Sequence, residues 1–130
     1  MKQVYREYHR DFRNGRDIRT SSTQDFLNWP KSKFLEYEPS RVSQLYTNQI
    51  SPYHRAPHIY LGFPTRYIDR GWTESAKRLP NLPWRRLRGK VSVREGTALT
   101  EGMFMSSRDG KRFNVWPEAF IRPGLRRKDN

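Results

Sequence analysis

The residues best equipped for chemistry gather around one stretch, Tyr53-His54-Arg55-Ala56-Pro57-His58-Ile59-Tyr60-Leu61-Gly62-Phe63-Pro64-Thr65-Arg66-Tyr67. Arg55 and Arg66 each offer a planar fork of donors that fits a carboxylate or a sulfate. Tyr53 presents a flat face on which a sugar ring can rest. Asn48 leads into the stretch and Tyr67 closes it. His58 has the chemistry of a general base or a metal ligand, although a single histidine more commonly serves as a hydrogen-bonded structural group. His9, His54 and His58 lack zinc-site spacing and the chain has no cysteine, so no metal and no other cofactor is expected.

These side chains need a scaffold, and its local signals are those of short strands. The stretch 53–67 is rich in β-branched, aromatic and aliphatic residues bounded by prolines, and reads as one well-buried strand with polar ends. Arg13-Asn14-Gly15-Arg16 is a hairpin turn, because Asn and Gly accept positive φ cheaply. A return strand follows at 18–23, then a second turn over 24–30. Short strands are expected at 34–37 and 45–50, and a further one resumes at Met103. From Ile68 to Gly96, Gly71, Pro80, Pro83 and Gly89 punctuate a basic run, which reads as a long loop inserted in the fold. The pattern predicts an all-β, antiparallel chain with little regular helix.

Hydrophobic residues make up 34% of the 130, and mean hydropathy is −1.05, so a thin core is expected. Aromatics at 14% supply large area per residue and argue against wholesale disorder. Twenty-six Lys and Arg against 13 Asp and Glu leave a formal charge of +13, a field that attracts polyanions. No apolar run approaches the ~20 residues of a membrane span. The first residues form no signal peptide, and the compartment is not legible.

One supersecondary unit occurs twice. Ser22-Thr23-Gln24-Asp25-Phe26-Leu27-Asn28-Trp29 aligns with Ser106-Ser107-Arg108-Asp109-Gly110-Lys111-Arg112-Phe113, placing Asp25 on Asp109 and Trp29 on Phe113. The expected role is structural: the carboxylate accepts backbone N–H groups across the turn while the aromatic packs between sheets. Repetition of a strand-turn-strand unit is how propeller blades announce themselves in sequence.

These turns, the segment Leu45-Tyr46-Thr47-Asn48, the stretch from Arg55 to Tyr67 and the segment Gly96 to Gly110 together resemble glycosidase-like proteins of planctomycetes and related environmental bacteria. Those proteins stand near glycoside hydrolase families 32 and 43, the five-bladed β-propellers. The resemblance implies antiparallel four-stranded blades. This chain would supply about two of them: a partial blade over 1–40, a second over 41–124 carrying the basic insertion at 68–96, and a charged tail at 125–130. The remaining blades of a parent protein would then be its partners.

The resemblance also implies a carbohydrate ligand, with Arg55 and His58 at the mouth of a central tunnel and Asn48, Tyr53, Arg66 and Tyr67 around it. Glycoside hydrolysis needs two carboxyl groups, one to protonate the leaving oxygen and one to attack or to activate water. An Arg-Asp-Pro motif in these enzymes corresponds here to Arg55-Ala56-Pro57, and Ala56 can hold no charge. Glu101, expected in a loop opening the strand at Met103, is the remaining candidate general acid, against a solvated turn residue. An incomplete catalytic set is therefore expected, with binding of carbohydrate, including anionic glycan, as the main role. Two alternatives stand beside it: a structural blade with no ligand, and a nucleic-acid module built on Trp84-Arg85-Arg86-Leu87-Arg88-Gly89-Lys90.

Overall fold

A computed structural model describes residues 3–40, 43–92 and 94–124; the predicted tail at 125–130 lies outside them. The chain is mostly strand, and nearly all of its strand pairs are antiparallel. The first hairpin joins β1 (Tyr5–Phe12) to β2 (Arg16–Thr23), with Tyr5 opposite Thr23 and Phe12 opposite Arg16. Its turn places Asn14 at φ +52° and Gly15 at φ +91°, the left-handed geometry that Asn-Gly tolerates. Beyond the turn over 24–30, β3 (Lys33–Phe34) pairs with β2 and completes a three-stranded sheet.

Leu35 separates β3 from β4 (Glu36–Glu38), which leaves that sheet and runs parallel to β11 (Arg112–Val115). The five-stranded sheet has the order β4, β11, β10 (Met105–Ser107), β7 (Ala56–Gly62), β6 (Ile50–Tyr53). A second three-stranded sheet pairs β5 (Gln44–Leu45) with β8 (Thr65–Asp69), and β8 with β9 (Ala98–Gly102). Sheets of three, five and three strands replace the four-stranded blades expected from the sequence.

Two further expectations are corrected. The stretch 53–67 is no single buried strand: it turns at His54-Arg55, runs as β7, breaks at Phe63-Pro64 and resumes as β8, with Pro57 and His58 exposed. The region 68–96 is no loop, since it folds into α1 (Glu74–Arg78), α2 (Leu82–Val91) and α3 (Arg94–Thr97). Thr73 caps α1 by accepting from the Ala76 N–H at 3.1 Å, and Pro83 sits in the first turn of α2, where its missing N–H costs nothing. None of the described helices is long and apolar enough to cross a membrane.

The core is small. Ile18, Leu35, Leu45, Met105, Phe113 and Val115 form one buried cluster, flanked by Tyr8, Tyr37, Ile50 and Tyr60. It binds the first sheet to the second: the Tyr8 ring meets Phe113 edge-on at 6.3 Å, and the Tyr8 hydroxyl donates to the Gly110 carbonyl at 2.9 Å. Several arginines rest on aromatic faces. Arg13 and Arg19 lie over Phe34, and Arg10 and Arg16 over Tyr46, each within 5 Å of the ring centre.

Candidate functional site

Both copies of the Asp turn adopt the same hydrogen-bonded shape. Asp25 Oδ1 accepts from the backbone N–H groups of Leu27 (3.0 Å) and Asn28 (2.8 Å), while the Asp25 N–H donates to Thr23 Oγ1. In the second copy Asp109 Oδ1 accepts from Lys111 (2.8 Å) and Arg112 (2.9 Å), and the Asp109 N–H donates to Ser107 Oγ. The residue after each aspartate is left-handed, Phe26 at φ +63° and Gly110 at φ +69°. The two turns differ at their aromatic residue: Phe113 is fully buried, whereas Trp29 remains exposed.

A cleft of about 320 Å³ opens between these turns. The first turn leads into Pro30 and Lys31 on its wall, and the second presents Lys111. Lys33, from β3, and Arg6, from β1, complete four cations facing one space. Thr20, Ser21 and Ser22 of β2 add hydroxyls, and Phe34 an apolar side. The only carboxylate on the wall among the described residues, Glu36, is already paired with Arg112 at 2.8 Å. Arg6 makes long contacts, 3.4 Å to the Gly110 carbonyl and 3.5 Å to Thr20 Oγ1. Its Nε is buried and meets no acceptor among the described residues. Its guanidinium also lies over the Tyr60 ring, 5.8 Å from the centre. Chemically the cleft suits a small anion carrying hydroxyl groups.

The two aspartates are shaped for these turns. The side-chain amide of Asn28, followed by its backbone N–H, holds the Asp25 carboxyl below the usual carboxylate range. Burial alone would raise Asp109, but the N–H groups of Arg112 and Lys111 and the Ser107 hydroxyl outweigh it and hold that carboxyl low as well.

The residues singled out from the sequence are dispersed. Tyr53 and Arg55 lie at the tip of the β6–β7 hairpin, where the Tyr53 ring meets His54 edge to face at 5.0 Å. His58 is exposed on β7. Asn48 sits elsewhere and donates to the Tyr8 carbonyl at 3.3 Å. Tyr67 is a buried residue of β8 with the Arg16 guanidinium over its ring. Beyond β7, whose seven residues span ~20 Å, Arg66 stands opposite Glu101 across β8 and β9. Glu101 is thus neither in a loop nor solvated: it is 8% exposed, and its Oε2 accepts from Arg66 Nε at 3.1 Å and from a second guanidinium nitrogen at 2.5 Å. Both contacts fall on one oxygen of the carboxylate and hold it as an ion pair. No group of three or more metal-ligating side chains occurs among the described residues.

The cleft residues themselves escaped the sequence reading, which treated the Asp turns as scaffold. The signal present in the sequence was a lysine close to each turn, Lys31 just past the first and Lys111 within the second. Compared with known proteins, the chain matches no family model, no curated protein and no solved structure.

Proposed function

We propose that the chain recognises an acidic saccharide, held in the cleft between the two Asp turns. The observation that carries this reading is the convergence of Arg6, Lys31, Lys33 and Lys111 on one cleft beside the hydroxyls of β2. Cations take the carboxylate or sulfate of such a sugar, and Thr and Ser hydroxyls match its own hydroxyls. The hydroxyls of Thr20, Ser21 and Ser22 beside the cations favour a hydroxyl-bearing anion over a bare one. In the same proposal these sheets are part of a larger radial array. Its support is a surface left open for packing: Phe63, Phe104 and Phe120 touch one another at 5.6 to 5.9 Å, with Phe63 and Phe120 exposed.

Glycoside hydrolysis needs two carboxyl groups about one sugar, and among the described residues the cleft wall offers one, Glu36, paired with Arg112. The chain's contribution is accordingly recognition. The nucleic-acid reading is weakened by similar internal pairing on α2: Arg85 donates to the carbonyls of Ala76, Leu79 and Pro80, and Arg88 pairs with Glu95. Two cations of that basic run, Arg86 and Lys90, lie in a separate shallow cleft beside Trp72.

The test is a calorimetric titration with a chondroitin sulfate hexasaccharide, a neutral chitin hexasaccharide and duplex DNA, each at low and at physiological salt. Binding of the sulfated sugar that survives added salt better than binding of DNA is expected. Binding of DNA alone would remove the saccharide from consideration.

A further inference from the structure

The loop that carries Lys31 into the cleft also keeps three apolar side chains in solvent: Phe26 is 59% exposed, Leu27 85% and Trp29 38%. The twin turn shows what this backbone needs for folding alone, a glycine at the left-handed position and an aromatic that enters the core. The first copy has neither. Phe26 holds the left-handed position, which L side chains rarely adopt, without being buried in return. Its ring is fixed between Tyr5 at 5.0 Å and Trp29 at 5.9 Å, both edge to face, and Trp29 Nε1 donates to the Phe26 carbonyl at 2.8 Å. Asp25 ties down the backbone beneath them. The result is an aromatic platform held outward at a strained position.

We propose that Phe26 and Trp29 form a stacking subsite for a further ring of the same acidic saccharide, an inference that rests on the reading of the cleft as a saccharide site. Sugar C–H groups carry slight positive charge and settle on the negative face of an aromatic ring. Continuity of chain selects this occupant over a lipid or a protein: Trp29 adjoins Pro30 and Lys31 of the cleft wall. Neither Phe26 nor Trp29 lines the cleft itself, so a ring stacked on them is a further one along the same saccharide. The platform therefore serves a saccharide chain longer than the part held by the lysines.

The experiment is calorimetry of the whole chain against chondroitin sulfate oligosaccharides of increasing length, from the disaccharide upward. Phe26→Leu keeps the apolar bulk and the backbone but removes the ring. Affinity for the long oligosaccharides is expected to fall about tenfold, with that for the disaccharide unchanged. Trp29→Leu should repeat the pattern, and circular dichroism checks that both variants fold. No loss at any length, or an equal loss at every length, overturns the subsite. Lys33→Ala separates this from the parent reading: it should weaken every length. If Lys33→Ala weakens all lengths and Phe26→Leu none, the platform alone fails; if Lys33→Ala changes nothing, the saccharide cleft fails with it.

Discussion

Asp17 shows at the scale of one residue how so polar a chain builds an interior. It is fully buried, yet its carboxylate accepts from the Tyr37 hydroxyl at 2.6 Å, from Arg13 Nε at 2.9 Å and from the Ile18 N–H at 2.8 Å. Burial, reinforced by this bond to Asp17, pushes the Tyr37 hydroxyl well above its ordinary pKa. Removing the donor leaves a buried charge short of one partner, so Tyr37→Phe should cost about 1.5–3 kcal/mol in a urea titration, far more than loss of a surface hydroxyl. The turn aspartates act at the other end of the pH scale. Their folded pKa values lie below the unfolded value of 3.8, so their contribution is complete above that value and is lost as pH falls through the lower folded ones. A plot of melting temperature against pH should drop below pH 3.8, and Asp109→Asn should flatten the drop. An unchanged slope in that variant would mean that other carboxylates control acid unfolding.

Among the elements, the pair joining β8 to β9 carries the sharpest expectation. The Arg66 and Glu101 side chains are only 13% and 9% exposed, and Arg66 also donates to the Pro117 carbonyl at 2.9 Å. Taking away one member strands the other charge, so Arg66→Met should destabilise by about 3–5 kcal/mol. The double variant with Glu101→Leu should recover most of that loss, and a double-mutant cycle by denaturant unfolding measures the recovery. The elements also divide by how far they could be read in advance. The β1–β2 hairpin and both Asp turns were legible because the residues that shape them are neighbours in sequence. The helices were not, because Pro80, Pro83 and Gly89 read as loop punctuation. Pro83 in fact occupies a permitted first-turn position, and Gly89 lets α2 approach Trp72, where an added Cβ would come within 3.0 Å of the ring. The single strand expected over 53–67 failed for a similar reason: His54-Arg55 carries none of the usual turn residues, so the hairpin is set by pairing with β10 and β6 rather than by local preference.

For the whole molecule, the candidate site was hidden because it is made by sheets meeting rather than by a motif. Arg6, Lys33 and Lys111 come from three distant parts of the sequence, and the pairing of β4 with β11 and the docking of Tyr8 and Arg6 onto Gly110 bring them to one cleft. With +13 overall, any anion will associate to some degree, so location rather than binding alone is the decisive quantity. The measurement to make first removes the same charge from two places. Lys31→Ala/Lys33→Ala takes two cations from the cleft, and Arg86→Ala/Lys90→Ala takes two from α2. Each is titrated with the chondroitin sulfate hexasaccharide at physiological salt. A saccharide seated in the cleft predicts at least a roughly tenfold loss of affinity for the first pair and little change for the second. Equal losses for both would mean that the sugar follows net charge, and the cleft would not be its site.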